Sequence, residues 1–469
     1  MAPAEGKADP LLASARRKRL LSSGGPVIAG LAIVLFAAFL QFAHVPALDR
    51  IGLLVFDGYQ RAAPRPYADA PVRIVDIDDE SIRRLGQWPW PRTDIARLTD
   101  RLAASGAAVI AFDIVFSEAD RTSPPRIAER MMRSGETGPA IAALRRLPDN
   151  DAVLAETFQQ APVVAGYFLL REHGGETVVP KVGFAVSGSP PDQSVARYGS
   201  AIQSLGPLRD AAAGGGFISL AGDADSIVRS APLLAVQNGQ LLPSLALDAV
   251  RLAQGAGSIT VKTSDGSGET RDMPGEVVSI KVGQFEVPTT ASGALWLHYT
   301  APHPQRVIPA WKILSGALSP KALEEAFAGQ IVFVGTGAIG LRDLVSTPLQ
   351  DRDLGVAVHA NAAEQIILGQ FLTRPDWATG LERTLLFVLG VSIALALPRL
   401  GAIAGAALVG ALVAGMVWGS WYAFSARHYL LDPTYPVLAI TLAYPLRPHP
   451  DGGLRRPRFR VGAYRHRRA

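Results

Sequence analysis

The chain has no cysteine in its 469 residues. That absence excludes disulfide scaffolds, thiolate zinc sites, iron-sulfur clusters and every mechanism built on a cysteine nucleophile. Charge is scarce as well: 19% of residues are Asp, Glu, Lys or Arg, against about a quarter in an ordinary soluble protein. With 48% hydrophobic residues, the chain is too apolar to be disordered and too lightly charged to be soluble throughout. The charge present is unevenly placed. Residues 447–469 hold eight Arg and one Asp, and Lys7, Arg16, Arg17, Lys18 and Arg19 outnumber Glu5 and Asp9. Between His44 and Gly380 there are 30 basic and 36 acidic residues, so the formal +5 of the whole chain is a property of its ends. A basic nucleic-acid-binding body is excluded, and no nucleic-acid partner is expected.

Long uncharged runs are what the sequence has instead. Pro26 to Ala43 is 18 residues without a charge, directly after a basic cluster, and a helix needs roughly 20 such residues to cross the hydrocarbon. A cleaved signal peptide is the competing reading, and Val45-Pro46-Ala47 resembles a small-residue cleavage site. The run nevertheless exceeds the roughly 7–15 residues of a signal core. Residues 381–397 make a second span, closed by Pro398-Arg399, and residues 400–424 a third. In the third, Gly401, Gly405, Gly410 and Ala414 suit close helix packing, while Trp418, Trp421 and Tyr422 suit an interfacial belt. Residues 434–446 begin a fourth span that is short by a third. Basic flanks stay cytoplasmic, so the N-terminal segment 1–25, the Pro398-Arg399 turn and the tail 447–469 are expected inside, and residues 44–380 outside.

That outer segment reads as an α/β domain. Val72 to Asp78 is a short buried strand, with Asp78 or Asp79 placed to cap a helix that Gly86 ends. Thr93 is an N-cap candidate for a helix from Asp94 to Ser105, and Ala108 to Phe116 is a continuous apolar strand. Strand, helix, helix, strand implies a parallel crossover. Later strand and helix signals fall at Leu233-Leu234, Ser244 to Leu252, residues 259–300, Ser319 to Phe327, Ile331 to Val334 and Gly355 to Gly369. Residues 121–151 and 171–216, polar and rich in Gly and Pro, read as insertions and loops.

The blocks RIVDIDDESIRRLGQWPWPR (73–92), GAAVIAFDIVFSEAD (106–120), DADSIVRSAPLL (223–234), LWLHYTAP (295–302) and the long stretch 331–375 resemble the CHASE2 extracellular sensor family, in its expected order. The resemblance implies an α/β extracytoplasmic sensor domain with a mixed sheet, one transmembrane helix before it and three after it. It also implies a multi-pass receptor of the bacterial inner membrane, standing ahead of an adenylate or guanylate cyclase, a histidine kinase or a Ser/Thr kinase. Ser226 departs from the family, which often has Gly at this turn. Residues 447–469 hold no cyclase or kinase motif, and their Arg/Pro-rich composition suggests translation out of frame, with the output domain lost. A basic patch on anionic lipid is the alternative.

Ten residues are candidates for ligand binding: Asp76, Asp78, Trp88, Trp90, Arg92, Asp113, Arg342, Asp343, His359 and Asn361. Asp76-Ile77-Asp78-Asp79-Glu80 contains the D-x-D of aspartyl-phosphate enzymes, but Glu80 stands where that motif wants Thr or Val, so capping is the better reading. Trp88-Pro89-Trp90-Pro91-Arg92 presents two indoles and a cation on a stiff backbone, as a ligand cleft or a structural plug. Asp113 needs a partner inside the protein, and Arg92 and Arg342 are the candidates. Arg342, Asp343, His359 and Asn361 stand near strand ends, where α/β folds place ligands. Gly335 to Gly340 matches G-x-G-x-x-G, yet Pro348 leaves too little room for the long helix a dinucleotide needs, so a glycine turn near a sheet edge is expected. No catalytic residue, metal ligand or cofactor is assigned. The expected partners are the lipid bilayer, an unidentified extracytoplasmic ligand and a second copy of the chain as a homodimer. An extracytoplasmic hydrolase using Asp76, Asp78 or His359, and a non-enzymatic interaction subunit, are the rival readings.

Overall fold

A computed structural model of the chain describes residues 27–43, 45–220, 222–269, 273–341 and 344–444. The basic ends and the Arg342-Asp343 pair therefore lie outside the described residues. The chain divides into two units. The larger is Leu54–Asp376 with Ala423–Leu430, and the smaller holds the long apolar helices.

The larger unit is organised by a seven-stranded sheet. Its strands are β1 (Val72–Ile77), β2 (Val109–Phe112), β3 (Val163–Leu170), β4 (Ser200–Ile202), β5 (Gly214–Phe217), β6 (Val307–Pro309) and β7 (Ile331–Thr336). They run in the order β6-β1-β7-β2-β3, all parallel, with β5 added parallel to β3 and β4 antiparallel to the outer half of β3. Side chains alternate between two cores, as a doubly covered parallel sheet requires. Val72, Ile74, Val109, Ala111, Ile331 and Phe333 face one core, and Val75, Ile77, Ile110, Phe112, Val332 and Val334 face the other.

Helices cover both faces. Asp78 accepts a hydrogen bond from Ser81 N at 2.7 Å and starts Asp79–Leu85. The next helix, Arg92–Ala104, begins two residues before the Asp94 start expected from its apolar spacing, and Pro91 rather than Thr93 precedes it. Arg92 thereby stands in the first turn, with its main-chain N–H on Asp120 Oδ2 at 2.8 Å. The apolar run after Gly106 is strand only over Val109–Phe112. Residues 121–151 are more than loop: they form helices Pro124–Arg133 and Pro139–Leu144, and Asn150 and Asp151 open a half-buried helix, Asn150–Gln160. The stretch 171–216 likewise supplies β4, most of β5 and Gly183–Ser187, the edge of a second, four-stranded sheet. Strand Ile331–Thr336, and with it Gly335, lies in the middle of the main sheet rather than at its edge. A three-residue 3-10 turn follows, not a long helix.

In the smaller unit, Trp377–Arg399 and Ala402–Arg427 are long and apolar enough to cross a membrane. The first expected span is the helix Val27–Phe42, which reaches that length only together with Pro46–Ala62 across a bend. The fourth is the ten-residue helix Thr434–Ala443. A Cβ at Gly30 would press on Ala394, and one at Gly390 on Val34; of the glycines expected to pack closely, Gly401 and Gly410 meet nothing within 4 Å among the described residues.

Candidate functional site

Three stretches of the larger unit lead to the long helices: the C-terminal half of Pro46–Ala62, residues 369–376, and residues 423–430. Two of them meet the LWLHYT segment, residues 295–300, directly, and the third, residues 369–376, is linked to it through Gln365 and the 423–430 stretch. Phe56 packs on Trp296, with ring centroids 5.5 Å apart. Gln60 Nε2 donates to Leu297 O, and Gln60 Oε1 accepts from Tyr299 N at 3.2 Å. The carbonyl of Ala63 meets His298 Nε2 at 3.0 Å. From the 423–430 stretch, Phe424 packs on Phe56, Tyr59 and His298, and the His428 ring lies 5.8 Å from that of His298. His428 O in turn accepts from Thr373 N at 2.9 Å, and Thr373 O from Leu430 N at 2.8 Å. Gln365 closes the ring from the helix Gly355–Leu368, its side chain bonding His298 N, Trp296 O and Gln370 O.

Two buried charge clusters lock this joint. Arg229 has no exposed side-chain surface and uses all five of its N–H donors on carboxylates. Nε and Nη2 grip Asp57 in a fork at 2.8 and 2.7 Å, and Nη1 and Nη2 also reach Asp223 and Asp225 at 2.8 to 2.9 Å. Arg229 hydrogen bonds hold the Asp225 carboxyl down to about 2. Burial works against the Arg229 charge, but Asp57, Asp225 and Asp223 together hold its pKa above the ordinary arginine value. Asp57 sits on Pro46–Ala62, so this cluster fastens that helix to the strand Ser230–Pro232, which pairs with residues 294–296. In the second cluster, Glu364 stands between Arg65, at 2.7 Å, and Arg306, at 2.8 Å. Arg65 also donates to His298 O, Thr300 Oγ1 and Asn361 Oδ1. Burial pushes His298 down to about 4, against its bond to the Ala63 carbonyl, so its imidazole is neutral at physiological pH.

Of the residues singled out from sequence, Asn361 alone among the described ones belongs to this joint by its hydrogen bonds. His359, on the same helix, is buried, meets the backbone of Ile218, and is held down to about 4 by burial. Asp78 is the N-cap already described. Asp76, the last residue but one of β1, lies against Gly337, where a Cβ would collide with its carboxylate and with Leu354. Asp113 is buried after β2, its N–H on Val334 O at 2.8 Å. Trp88, Trp90 and Arg92 form a separate corner. Trp90 is buried and donates Nε1 to Gly86 O at 2.9 Å, with Trp88 edge-on at 5.5 Å. Arg92 donates to Glu118 O at 3.0 Å, faces Asp151 at 3.4 Å and lies over Phe116 at 4.6 Å. Its charge is thus answered by Asp151 and Asp120. Arg342 and Asp343 lie outside the described residues.

Sequence reasoning passed over Asp57, Arg65, Arg229, His298, Arg306 and Glu364. The available signal was a basic or polar residue inside an apolar block, as in SIVRSAPLL and LWLHYT, since such a residue must be paired once buried. Among the described residues no three His, Asp or Glu side chains cluster as metal ligands. A family model described as the CHASE2 domain matches residues 29–397. Comparison with curated proteins and with solved structures found no match.

Proposed function

The chain belongs to the CHASE2 domain family, and from that premise we propose that it works as the sensor of a membrane-bound signalling receptor, receiving a signal outside the cytoplasm. The observation that carries this reading is the joint. Every stretch by which the larger unit continues into a long apolar helix is tied to residues 295–300 by hydrogen bonds, rings or buried ion pairs. A ligand acts at a distance only by favouring one arrangement of a packed element over another. A hub that meets two such stretches directly and the third through Gln365 and His428 is a suitable element, because the three share bonded partners.

Two of the three residues on which the rival hydrolase reading rests are otherwise engaged. Asp78 is engaged as a cap, and His359 is buried and neutral. In this reading residues 44–380 face outward, 381–397, 400–424 and 434–446 return through a bacterial inner membrane, and a homodimer passes the change to a cytoplasmic output of the nucleotide-cyclase or kinase class. The cysteine-free sequence makes the orientation testable. Glu325 is exposed, and Glu325→Cys in the full chain should react with a membrane-impermeant maleimide added to intact spheroplasts. Labelling only after permeabilisation would overturn the assignment.

A further inference from the structure

Between β2 and β3 the chain makes a closed excursion, residues 121–148. Its neck is a hydrogen-bond network: Ser123 Oγ donates to Asp149 Oδ1 at 3.0 Å, Asn150 N to Ser123 Oγ at 3.1 Å, and Asn150 Nδ2 to Asp120 Oδ2 at 2.8 Å. Beyond the neck the helices Pro124–Arg133 and Pro139–Leu144 pack on each other. Their apolar side chains face inward: Ala128 and Ile141 are buried, and Ile127, Met131 and Leu144 are half-buried. The outer surface is left to charge of one sign. Arg121, Arg126, Arg130, Arg133, Arg145 and Arg146 are all exposed, against two glutamates, Glu129 and Glu136. The other residues between His44 and Gly380 are 24 basic and 34 acidic, so this patch of +4 stands on an acidic domain. Among the described residues none of the six pairs with a carboxylate, whereas Arg65, Arg84, Arg92 and Arg229 each do. Arg130 donates only to the Arg121 carbonyl, at 2.9 Å. Next to Arg133 and Arg146 in sequence, Met132 and Leu147 leave 38% and 50% of their surface exposed.

We infer that this helix pair is a docking surface for an anionic phospholipid bilayer, with the arginines on headgroup phosphates and Met132 and Leu147 at the boundary between headgroups and acyl chains. Guanidinium forks match phosphate oxygens, and the aliphatic stems of arginine tolerate lipid. A protein partner is the weaker match. Its interface wants a contiguous, close-packed apolar centre, and the apolar side chains of these helices are mostly turned inward. A bilayer surface requires no such centre, because attraction to anionic headgroups accumulates over separate cations. Lipid is also constantly within reach, since the larger unit is joined to apolar helices long enough to cross a membrane. The contact goes beyond the sensor reading and does not rest on it.

With no native cysteine, the full chain accepts a single polarity-sensitive dye at Met132→Cys. Nanodiscs of phosphatidylcholine alone are compared with nanodiscs of phosphatidylcholine and phosphatidylglycerol, each with and without a spin label on the upper acyl chain. In the anionic discs the dye emission should shift to the blue and be quenched by the lipid spin label, and in phosphatidylcholine alone it should report water. Salt at about 1 M, which screens charges beyond about 3 Å, should reverse the shift. Each arginine strengthens attraction to anionic lipid about fivefold. Arg126→Gln, Arg133→Gln, Arg145→Gln and Arg146→Gln together should therefore abolish the shift, with the melting temperature unchanged because all four side chains are exposed. The same dye on Glu325→Cys, exposed on the helix Pro320–Phe327, should stay in water throughout. Four outcomes would overturn the inference: equal emission in the two lipids, a blue shift without quenching by lipid, which is contact with protein, a shift that survives the four substitutions, or an equal shift at position 325.

Discussion

The joint around residues 295–300 and the corner at Trp88, Trp90 and Arg92 are both buried, both aromatic and both built around arginine, yet they differ in reach. In the corner, Arg92 meets partners 26 to 59 positions along the chain, within one layer of helices over the sheet. In the joint, Arg229 reaches back 172 positions to Asp57 and Arg65 reaches 299 positions to Glu364. The corner seals a hydrophobic core, whereas the joint ties together the stretches that leave for the long helices. Rings and cations crowded in sequence mark local packing here. The element suited to carrying a signal is assembled from single residues scattered across the domain.

Several substitutions would break or sharpen that contrast. The largest effect is expected from Arg229→Met, which leaves Asp57 buried without a counter-charge and should cost about 4 kcal/mol, read by denaturation of the full chain in nanodiscs. A double variant, Arg229→Met with Asp57→Leu, should recover much of the loss, since removing both charges leaves neither unpaired. Next is acid. His298 titrates near 4 folded and near 6.5 unfolded. The unfolded chain therefore takes up the proton first, and stability present above about pH 6.5 declines as pH falls toward 4, by roughly 3 kcal/mol for a shift of that size. His359 adds a loss in the same window. His298→Gln should flatten the profile. Asp120 of the corner responds lower: burial pushes it up, but hydrogen bonds from Arg92 N, Asn150 and Thr122 hold it below the ordinary carboxylate value, whereas burial holds the neighbouring Asp151 above it. The Asp120 contribution declines as pH falls below the ordinary carboxylate value and is gone below the depressed one.

Arg92→Met should cost about 2 kcal/mol, from the lost contacts with Glu118 O and Asp151, without altering hydrogen exchange in residues 54–62, 369–376 or 423–430. The smallest effect has the opposite sign. Ser226 has φ of +64°, a left-handed conformation that glycine adopts without cost. Ser226→Gly should stabilise by about 1 kcal/mol in the same denaturation experiment, and it acts in the turn that carries Asp223 and Asp225 toward Arg229.

Much of the fold was legible because its signals are local. Apolar runs bounded by glycine and capping residues marked β1, β7 and the helices begun by Asp78, Ser244 and Ser319. The family blocks marked the domain as a whole. Residues 121–151 misled because polar composition suggests solvent, whereas Asp120, Asn150 and Asp151 are polar through mutual hydrogen bonding inside the protein. Residues 171–216 misled for another reason: Gly214 to Gly216 read as a loop, but β5 is a glycine strand lying against Ser244 and Leu245. The joint was the least legible part. Nothing local pairs Asp57 with Arg229 or Arg65 with Glu364, and of its members only Asn361 had been singled out.

The central claim, that the joint binds its three stretches into one cooperative element, is tested most directly by hydrogen exchange of the full chain in nanodiscs, comparing wild type, Arg229→Met and Arg92→Met. The account predicts that residues 54–62, 369–376 and 423–430 all lose protection together in Arg229→Met and keep it in Arg92→Met. Loss confined to residues 54–62, or equal loss in both variants, would contradict it.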